Sequence, residues 1–210
     1  MTPTRRELKA ARRRQEILRA AARAFKKKGY YGTTMDDIAA ELLMTQGSLY
    51  YYFKSKEEIL FACHEHSLHC LLTLADQADA AEVSPAARLG ALIRASIGVV
   101  IDELAASAMT LEFGALSEPY LGTIIGLRDR YEARLRRIIE DGMERGELLP
   151  GDPALAGFAI LGAINWIARW FDPEGRLPAE AVADRYAELF LRGLGADPAR
   201  VERIDLPGCG

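Results

Sequence analysis

TTMDDIAAELLMTQGSLYYYFKSKEEIL, residues 33–60, contains the start signals of three helices in quick succession. Thr34 is a candidate N-cap, because acidic residues occupy the turn that follows it. Thr45 is a candidate N-cap for the next helix, and Ser55 with Glu58 three residues later has the pattern of a capping box. Two short helices joined by a turn of about four residues predict a helix-turn-helix, whose second helix enters the DNA major groove.

Helical periodicity extends over the rest of the chain. A first helix is predicted over residues 8–28, where Ile17, Ala21 and Phe25 recur every fourth residue. Further helices, separated by breaks at proline and glycine, are predicted over 56–80, 86–101, 103–117, 121–145, 153–171 and 178–194. We therefore predict an all-α fold, with a three-helix helix-turn-helix domain at residues 1–56 and a larger helical domain at residues 57–210.

The charge of the chain is divided unevenly between these two parts. Residues 1–56 contain 13 Lys and Arg against five acids, a net charge of +8, and the remaining residues contain 14 against 25, a net charge of −11. A basic domain attracts a polyanion, whereas an acidic one repels it. The alternative is a charged helix that is simply solvated. The asymmetry favours double-stranded DNA as the partner of the first domain.

Several classes of protein are not indicated by the sequence. Gly-rich phosphate loops and the motifs G-x-S-x-G and H-E-x-x-H are absent from it, so we do not predict an enzyme. There is no apolar run of about 18 residues, as a membrane span requires. The first residues, MTPTRRELKAARRRQ, lack the apolar region of a signal peptide, and three cysteines is a low, odd count. These features predict a cytoplasmic protein without a membrane partner.

The predicted reading helix begins with side chains suited to bases. Gln46 can form two hydrogen bonds with adenine, and Ser48 can bond several base edges. Gly47 has no side chain, so the backbone could approach the duplex closely. Leu49 and Phe53 lie four residues apart and share one face, which we expect to pack on the preceding helix.

Three successive tyrosines follow, and they cannot all share the face of Leu49 because residues rotate by about 100° along a helix. Tyr50 and Tyr51 are therefore expected to point away from the core, with Tyr52 nearer its edge. Exposed phenols beside Lys54 and Lys56 are suited to binding phosphates. The alternative is that Tyr51 or Tyr52 packs against the first helix.

The same residues resemble the N-terminal domain of the TetR family of bacterial transcriptional regulators, over about residues 10–65. The matching positions are Phe25, Gly29, Gly32-Thr33-Thr34, Asp37-Ile38-Ala39, Gly47-Ser48-Leu49-Tyr50, Phe53 and Ser55-Lys56-Glu57. One position departs from the pattern, because Leu43 stands where the turn usually has a glycine. The turn is therefore expected to use a strained non-glycine conformation.

The resemblance implies a homodimer that binds a palindromic operator, usually as a repressor, and is released when a small molecule binds its C-terminal domain. It implies that Thr34 contacts the DNA backbone and that the start of the reading helix contacts bases or the adjacent backbone. It also implies that Tyr50, Tyr52 and Lys56 contact phosphates. The complete predicted DNA-binding set is Thr34, Thr45, Gln46, Gly47, Ser48, Tyr50, Tyr51, Tyr52, Lys54 and Lys56.

Two segments of the second domain are candidates for binding the small molecule. The predicted ligand-binding set is Met109, Phe113, Tyr120, Arg130, Arg134, Asn165, Trp166 and Arg169. An apolar pocket with arginines at its rim suits an acyl chain with a polyphosphate head. The alternatives are that the tryptophans form the core of a dimer interface, together with a stripe containing Leu155, Phe158, Ile164 and Ile167, and that the arginines form ion pairs within their helix.

R-x-R-Y-E, at residues 128–132, and N-W-x-x-x-W-x-x-P-x-G-x-L, at 165–177, are similar to regulators of fatty-acid, sterol and aromatic-acid breakdown. This resemblance implies an acyl-CoA thioester as the effector. A multidrug-type repressor that senses lipophilic or aromatic compounds is the alternative.

CHEHSLHC, residues 63–70, places Cys63, His66 and Cys70 on one helical face. Such residues could bind a metal ion or sense redox state. Buried cysteines and a partly buried histidine explain the cluster equally without either, so we predict neither a metal nor a cofactor.

Overall fold

The computed structural model describes residues 4–102 and 113–208, and within these ranges the chain is all-α, as predicted. The helices are α1 (Arg5–Gly32), α2 (Met35–Glu41), α3 (Gln46–Tyr52), α4 (Lys56–Ala80), α5 (Pro85–Ile101), α6 (Tyr120–Glu144), α7 (Pro153–Trp170) and α8 (Ala179–Gly193). A short 3-10 helix spans Phe113–Ala115. No strand occurs in the described ranges.

The three predicted caps of the helix-turn-helix segment are present. The side-chain oxygens of Thr34, Thr45 and Ser55 each accept a hydrogen bond from the backbone N–H three residues later. The predicted capping box at Ser55 is only half formed, because the Glu58 carboxylate accepts from the N–H of Lys54 at 2.6 Å instead of that of Ser55. Local sequence therefore determines where all three helices begin.

Two backbone positions shape the first domain. α1 begins earlier than predicted, at Arg5, and its span continues to Gly32. Gly29 has a φ of 71°, so the helical backbone is interrupted at the predicted break. The expectation for the turn between α2 and α3 is also correct, since Leu43 has a φ of 52°. This left-handed conformation costs a non-glycine residue about 1–2 kcal/mol. The Leu43 side chain projects into solvent, so burial does not offset that cost.

One hydrophobic core joins the two parts of the chain. Ile17 and Phe25 of α1 pack with Leu49 and Phe53, and the same cluster continues into α4 through Leu60. α4 then packs against α5 and α6, and α5 packs against α8. α4 therefore contacts both the helix-turn-helix and the C-terminal bundle.

The predicted helix over 103–117 is wrong at its end. Residues 113–115 form a 3-10 helix and residues 116–119 are not helical. Ser117 instead directs its backbone N–H and its hydroxyl to the carboxylate of Glu57 on α4. The rest of this prediction, including the candidate ligand residue Met109, lies outside the described residues, as does the side chain of Phe113.

Candidate DNA-binding surface and effector region

The first turn of α3 presents a small polar surface to solvent. Gln46, Gly47 and Ser48 are all exposed. The hydroxyls of Thr45 and Ser48 hydrogen-bond to each other at 2.8 Å, and Thr45 also caps the helix. A Cβ built on Gly47 meets no atom within 4 Å, so the packing of the chain does not require a glycine there. The structure thus brings together the residues predicted to contact bases, and Gly47 leaves room for another molecule.

The three tyrosines divide as the helical rotation predicts. Leu49 and Phe53 are fully buried, whereas Tyr50 is 39% exposed and Tyr51 is 72% exposed. Tyr52 is half-buried, and its ring meets that of Tyr51 edge-on with 5.2 Å between centroids. Two phenol groups are therefore available at the surface, and Tyr52 also contributes to packing.

Lys56 differs from the other basic residues of this surface. Its ammonium donates to the backbone carbonyls of Tyr30 and Thr33, both at 2.7 Å, and lies 4.4 Å from the centroid of the Tyr30 ring. Burial lowers the pKa of Lys56. The predicted phosphate contact would therefore depend on its third N–H. Lys54 is exposed, with its ammonium 3.0 Å from the Tyr50 carbonyl oxygen.

The hydroxyl of Thr34 belongs to a complete capping box. It accepts from the N–H of Asp37, and the Asp37 carboxylate accepts from both the N–H and the hydroxyl of Thr34 at 2.8 Å. The hydrogen bond from Lys28, together with those from Thr34, lowers the pKa of Asp37 to about 2. The start of α2 is thus fixed internally, and its exposed cap remains at the surface.

In the C-terminal bundle, α4 and α6 enclose an unusual histidine. His64 is 5% exposed, and its Nε2 makes no hydrogen bond with any residue in the described ranges. Burial and, secondarily, the charge of Arg128 lower the pKa of His64 to about 4. One turn earlier on α4, Phe61 stacks on Tyr120 with 4.5 Å between centroids. A neutral polar group and two aromatic rings therefore lie between these helices, and the sequence did not identify His64 as a candidate.

The predicted arginines do not form one cluster around this position. Arg134 forms ion pairs with Asp76, at 2.9 Å, and with Asp79. Arg130 is exposed. Arg136 pairs with Glu132 at 3.5 Å within the same helix, as the alternative interpretation expected, whereas the partners of Arg134 lie on α4.

α7 carries three of the predicted ligand residues, of which Trp166 and Arg169 are exposed. Trp166 is 62% exposed, and the Arg169 guanidinium lies 5.6 Å from the centroid of its ring. Asn165 is half-buried. This geometry favours the alternative interpretation, in which the tryptophans belong to an interface between protomers.

The apolar stripe predicted for the interface is itself divided. Ile164 and Ile167 are buried in the protomer, because they lie about half a turn away from Leu155 and Phe158 on the helix. The large apolar side chains exposed on α7 and α8 are Leu155, Phe158, Trp166, Trp170 and Leu189. An exposed apolar face of this size on a folded chain indicates a protein interface.

The cysteine–histidine segment does not converge on one point. Cys63 is buried against α1, where its thiol lies 3.9 Å from the Leu18 carbonyl oxygen, and burial raises its pKa to about 12. Such a thiol is unreactive. Within the described part of the chain, no three His, Cys, Asp or Glu side chains are arranged to hold a metal ion. None of the described helices is long and apolar enough to span a bilayer.

The fold and the exposed start of α3 define a helix-turn-helix protein with a helical C-terminal domain. Residues 17–63 match the family described as bacterial regulatory proteins, tetR family, and residues 82–194 match the tetracyclin repressor-like C-terminal domain. The chain therefore belongs to the TetR family, whose members are transcriptional regulators that bind DNA as dimers. No curated protein sequence matches it.

Solved structures agree with this assignment. The TetR family regulator PfmR from Thermus thermophilus is 37% identical, with a TM-score of 0.78, and the match covers 85% of this chain and 98% of that one. KstR2, a ketosteroid transcriptional regulator of Mycobacterium tuberculosis, is 28% identical, with a TM-score of 0.81 and coverages of 88% and 96%. AibR, solved with isovaleryl coenzyme A and operator DNA, is 29% identical, with a TM-score of 0.75 and coverages of 84% and 97%.

Proposed function

We propose that this protein is a repressor that binds a palindromic operator as a homodimer and is released by an acyl-CoA thioester. Residues 1–56 would bind DNA, and residues 57–210 would bind the effector and dimerise. The observation that carries the proposal is the first turn of α3, where Gln46, Gly47 and Ser48 are exposed side by side on a domain of net charge +8. Uncharged polar groups can distinguish bases, and the surrounding cations supply affinity for the backbone.

The apolar face of α7 and α8 supports the homodimer. Leu155, Phe158 and Trp166 are each more than half exposed and follow one stripe of α7, while Leu189 is exposed on α8. A twofold axis beside these helices would bury both copies of the stripe in one four-helix bundle. It would also present two copies of α3 to the two halves of a palindrome.

The region around His64 supports a small-molecule effector. Leaving a buried polar atom without a hydrogen bond costs about 1–3 kcal/mol, which a bound carbonyl or hydroxyl group could offset. The neutral imidazole and the Phe61–Tyr120 pair suit a ligand that is apolar with one polar group. An acyl thioester has that character, and AibR, a structural neighbour, was solved with isovaleryl coenzyme A.

The first turn of α4 offers a route from the effector to DNA. Lys56 binds carbonyls at the junction of α1 and α2, and the adjacent Glu57 accepts hydrogen bonds from Ser117 at 2.6 and 2.7 Å. Ser117 lies three residues before Tyr120, the partner of Phe61. An effector that displaces Tyr120 would therefore move Ser117 and Glu57. It would thereby also move the first turn of α4, which contacts the junction of α1 and α2 through Lys56.

DNA selection followed by ligand release tests this function. Wild-type protein would first select a duplex from a random-sequence pool, and binding to that duplex would be compared with a scrambled duplex at equal salt. Isovaleryl-CoA and longer acyl-CoAs would then be titrated into the complex, with CoA alone, free fatty acids and a lipophilic cation as controls. We expect the selected duplex to be palindromic. We also expect that, among these compounds, only the thioesters release the protein from it. Release by the cation alone would favour a multidrug-type repressor, and equal affinity for both duplexes would refute sequence-specific repression.

A further inference from the structure

The N-terminal half of α1 is largely exposed, and its contact with the helix-turn-helix is made by Arg14, whose guanidinium lies 4.1 Å from the centroid of the Phe53 ring. The first buried residue of α1 is Ile17, so the twelve residues from Arg5 to Glu16 bury none of their side chains fully. At 1.5 Å per residue this segment is about 18 Å long. It is nevertheless well formed, with a complete capping box between Thr4 and Glu7. Burial within the chain therefore accounts for little of this segment.

A groove lies between this segment and the end of the reading helix. It has a volume of about 620 Å³, and its lining includes Arg6, Lys9, Arg12 and Arg13 on one side and Tyr51 and Tyr52 on the other. Ala10 lies in the lining between the long basic side chains. Tyr51 is the most exposed of the three tyrosines of α3. The groove is therefore continuous with the surface predicted to contact DNA.

The charge of this groove is strongly positive. Its one acid, Glu16, pairs with Arg13 at 2.6 Å and with Arg12 at 3.6 Å. Arg6 and Lys9 have no acidic partner among the residues that the structure describes. Like charges three and four residues apart on a helix destabilise it, and Lys9 has this spacing from both Arg6 and Arg13. A surface that retains such repulsion is suited to a polyanion.

We infer that this groove, formed by the first half of α1 with Tyr51 and Tyr52, binds the DNA backbone beyond the bases that α3 reads. This inference rests on the proposed function and extends the DNA-binding surface to α1. Arg6 and Lys9 bind phosphates on the flank of each half-site, and the phenol of Tyr51 donates to the same strand. Phosphate contacts of this kind add affinity and fix orientation without reading sequence. Tyr51 then contacts the flanking DNA, whereas Gln46 and Ser48 contact the bases of the half-site.

The experiment compares two lengths of the duplex that wild-type protein selects. The short duplex contains only the two half-sites, and the long duplex adds about ten base pairs, one helical turn, to each end. The variant Arg6→Gln/Lys9→Gln removes two charges from the groove and retains good helix formers. Its control, Arg137→Gln/Arg176→Gln, removes two exposed charges from the C-terminal half. Circular dichroism establishes that all proteins fold.

Wild-type protein and the control should bind the long duplex more tightly than the short one, and the groove variant should lose most of this advantage. Each phosphate contact contributes about 0.9 to the slope of log K against log salt, so two per protomer should make the variant slope on long DNA shallower by about 3.6 per dimer. A wild-type slope in the variant would overturn the inference. So would a deficit that is as large on the short duplex, or one that the control shares. Failure of the proposed function gives a different result, namely no preference of wild-type protein for the selected sequence.

Discussion

Removal of the Lys56 ammonium should lower the stability of the fold in addition to any effect on DNA binding. Lys56→Met keeps the length of the side chain but leaves the carbonyls of Tyr30 and Thr33 without the donor that lies 2.7 Å from each. An unpaired buried acceptor costs about 1–3 kcal/mol, and partial access of water at this site reduces the cost for Tyr30. We therefore expect a loss of about 1–3 kcal/mol in total. For a chain of this size, that corresponds to a fall of about 2–12 °C in Tm.

Lys54→Met is the matched control for this prediction. Both substitutions remove one charge from the same surface, so both should reduce the salt slope of DNA binding by at most about 1 per protomer. The Lys54 ammonium donates to a carbonyl of the preceding helix and is exposed, so its removal should cost less than about 0.5 kcal/mol. Thermal and urea unfolding at one protein concentration measure the difference, since dimerisation makes Tm depend on concentration. Equal stability of the two variants would show that the internal hydrogen bonds of Lys56 contribute nothing.

Three further predictions concern single positions. Gly47→Ala should leave the stability of the fold unchanged or raise it by up to about 1 kcal/mol, because the added Cβ enters open space on a helix. The same substitution should weaken operator binding in a gel-shift titration. Unchanged binding would show that the backbone at this position does not approach DNA. The Asp37 carboxylate should titrate near pH 2 in an NMR titration. The stability that it adds through the α2 cap is therefore complete above the usual pKa of about 3.9 and is lost as the pH falls through 2. A midpoint near 4 would contradict the capping box. Burial lowers the pKa of His64 from the usual 6.5 to about 4, so urea unfolding should show stability that is complete above pH 6.5 and falls towards pH 4. His64→Leu should reduce this dependence and leave the smaller part that comes from His66, whose pKa burial also lowers; an unchanged dependence would contradict the burial of a neutral His64.

The sequence predicted the features that depend on neighbouring residues. Thr34, Thr45 and Ser55 were identified as caps because a cap acts on the N–H three residues later. The strained turn at Leu43 was expected from the family resemblance, because the family usually has a glycine at that position. The orientation of Tyr51 required only the rotation of a helix.

Long-range contacts were not predictable in this way. Lys56 has the expected character of a phosphate ligand, yet its partners lie 23 and 26 residues away, and only the fold brings them together. His64 was not identified as a candidate, because the spacing in CHEHSLHC drew attention to Cys63, His66 and Cys70 and does not show which side chain faces α6. Trp166 was a candidate for both an effector pocket and a dimer interface, because the outer face of an apolar helix is not evident before its neighbours are known.

Ion pairing determines which cations of the first domain remain available to DNA. The net charge of +8 predicts a polyanion but does not locate it. Four of the five acids are engaged, as Glu7 in the α1 capping box, Glu16 with Arg12 and Arg13, Asp37 with Lys28, and Glu41 with Arg23. The basic residues without an acidic partner in the described ranges include Arg5, Arg6, Lys9, Lys26, Lys27 and Lys54. These charges lie at the two ends of α1 and just after α3, whereas the first turn of α3 is uncharged. Substitutions of the cations should therefore change the salt dependence of binding, while base preference should change only with residues of that turn.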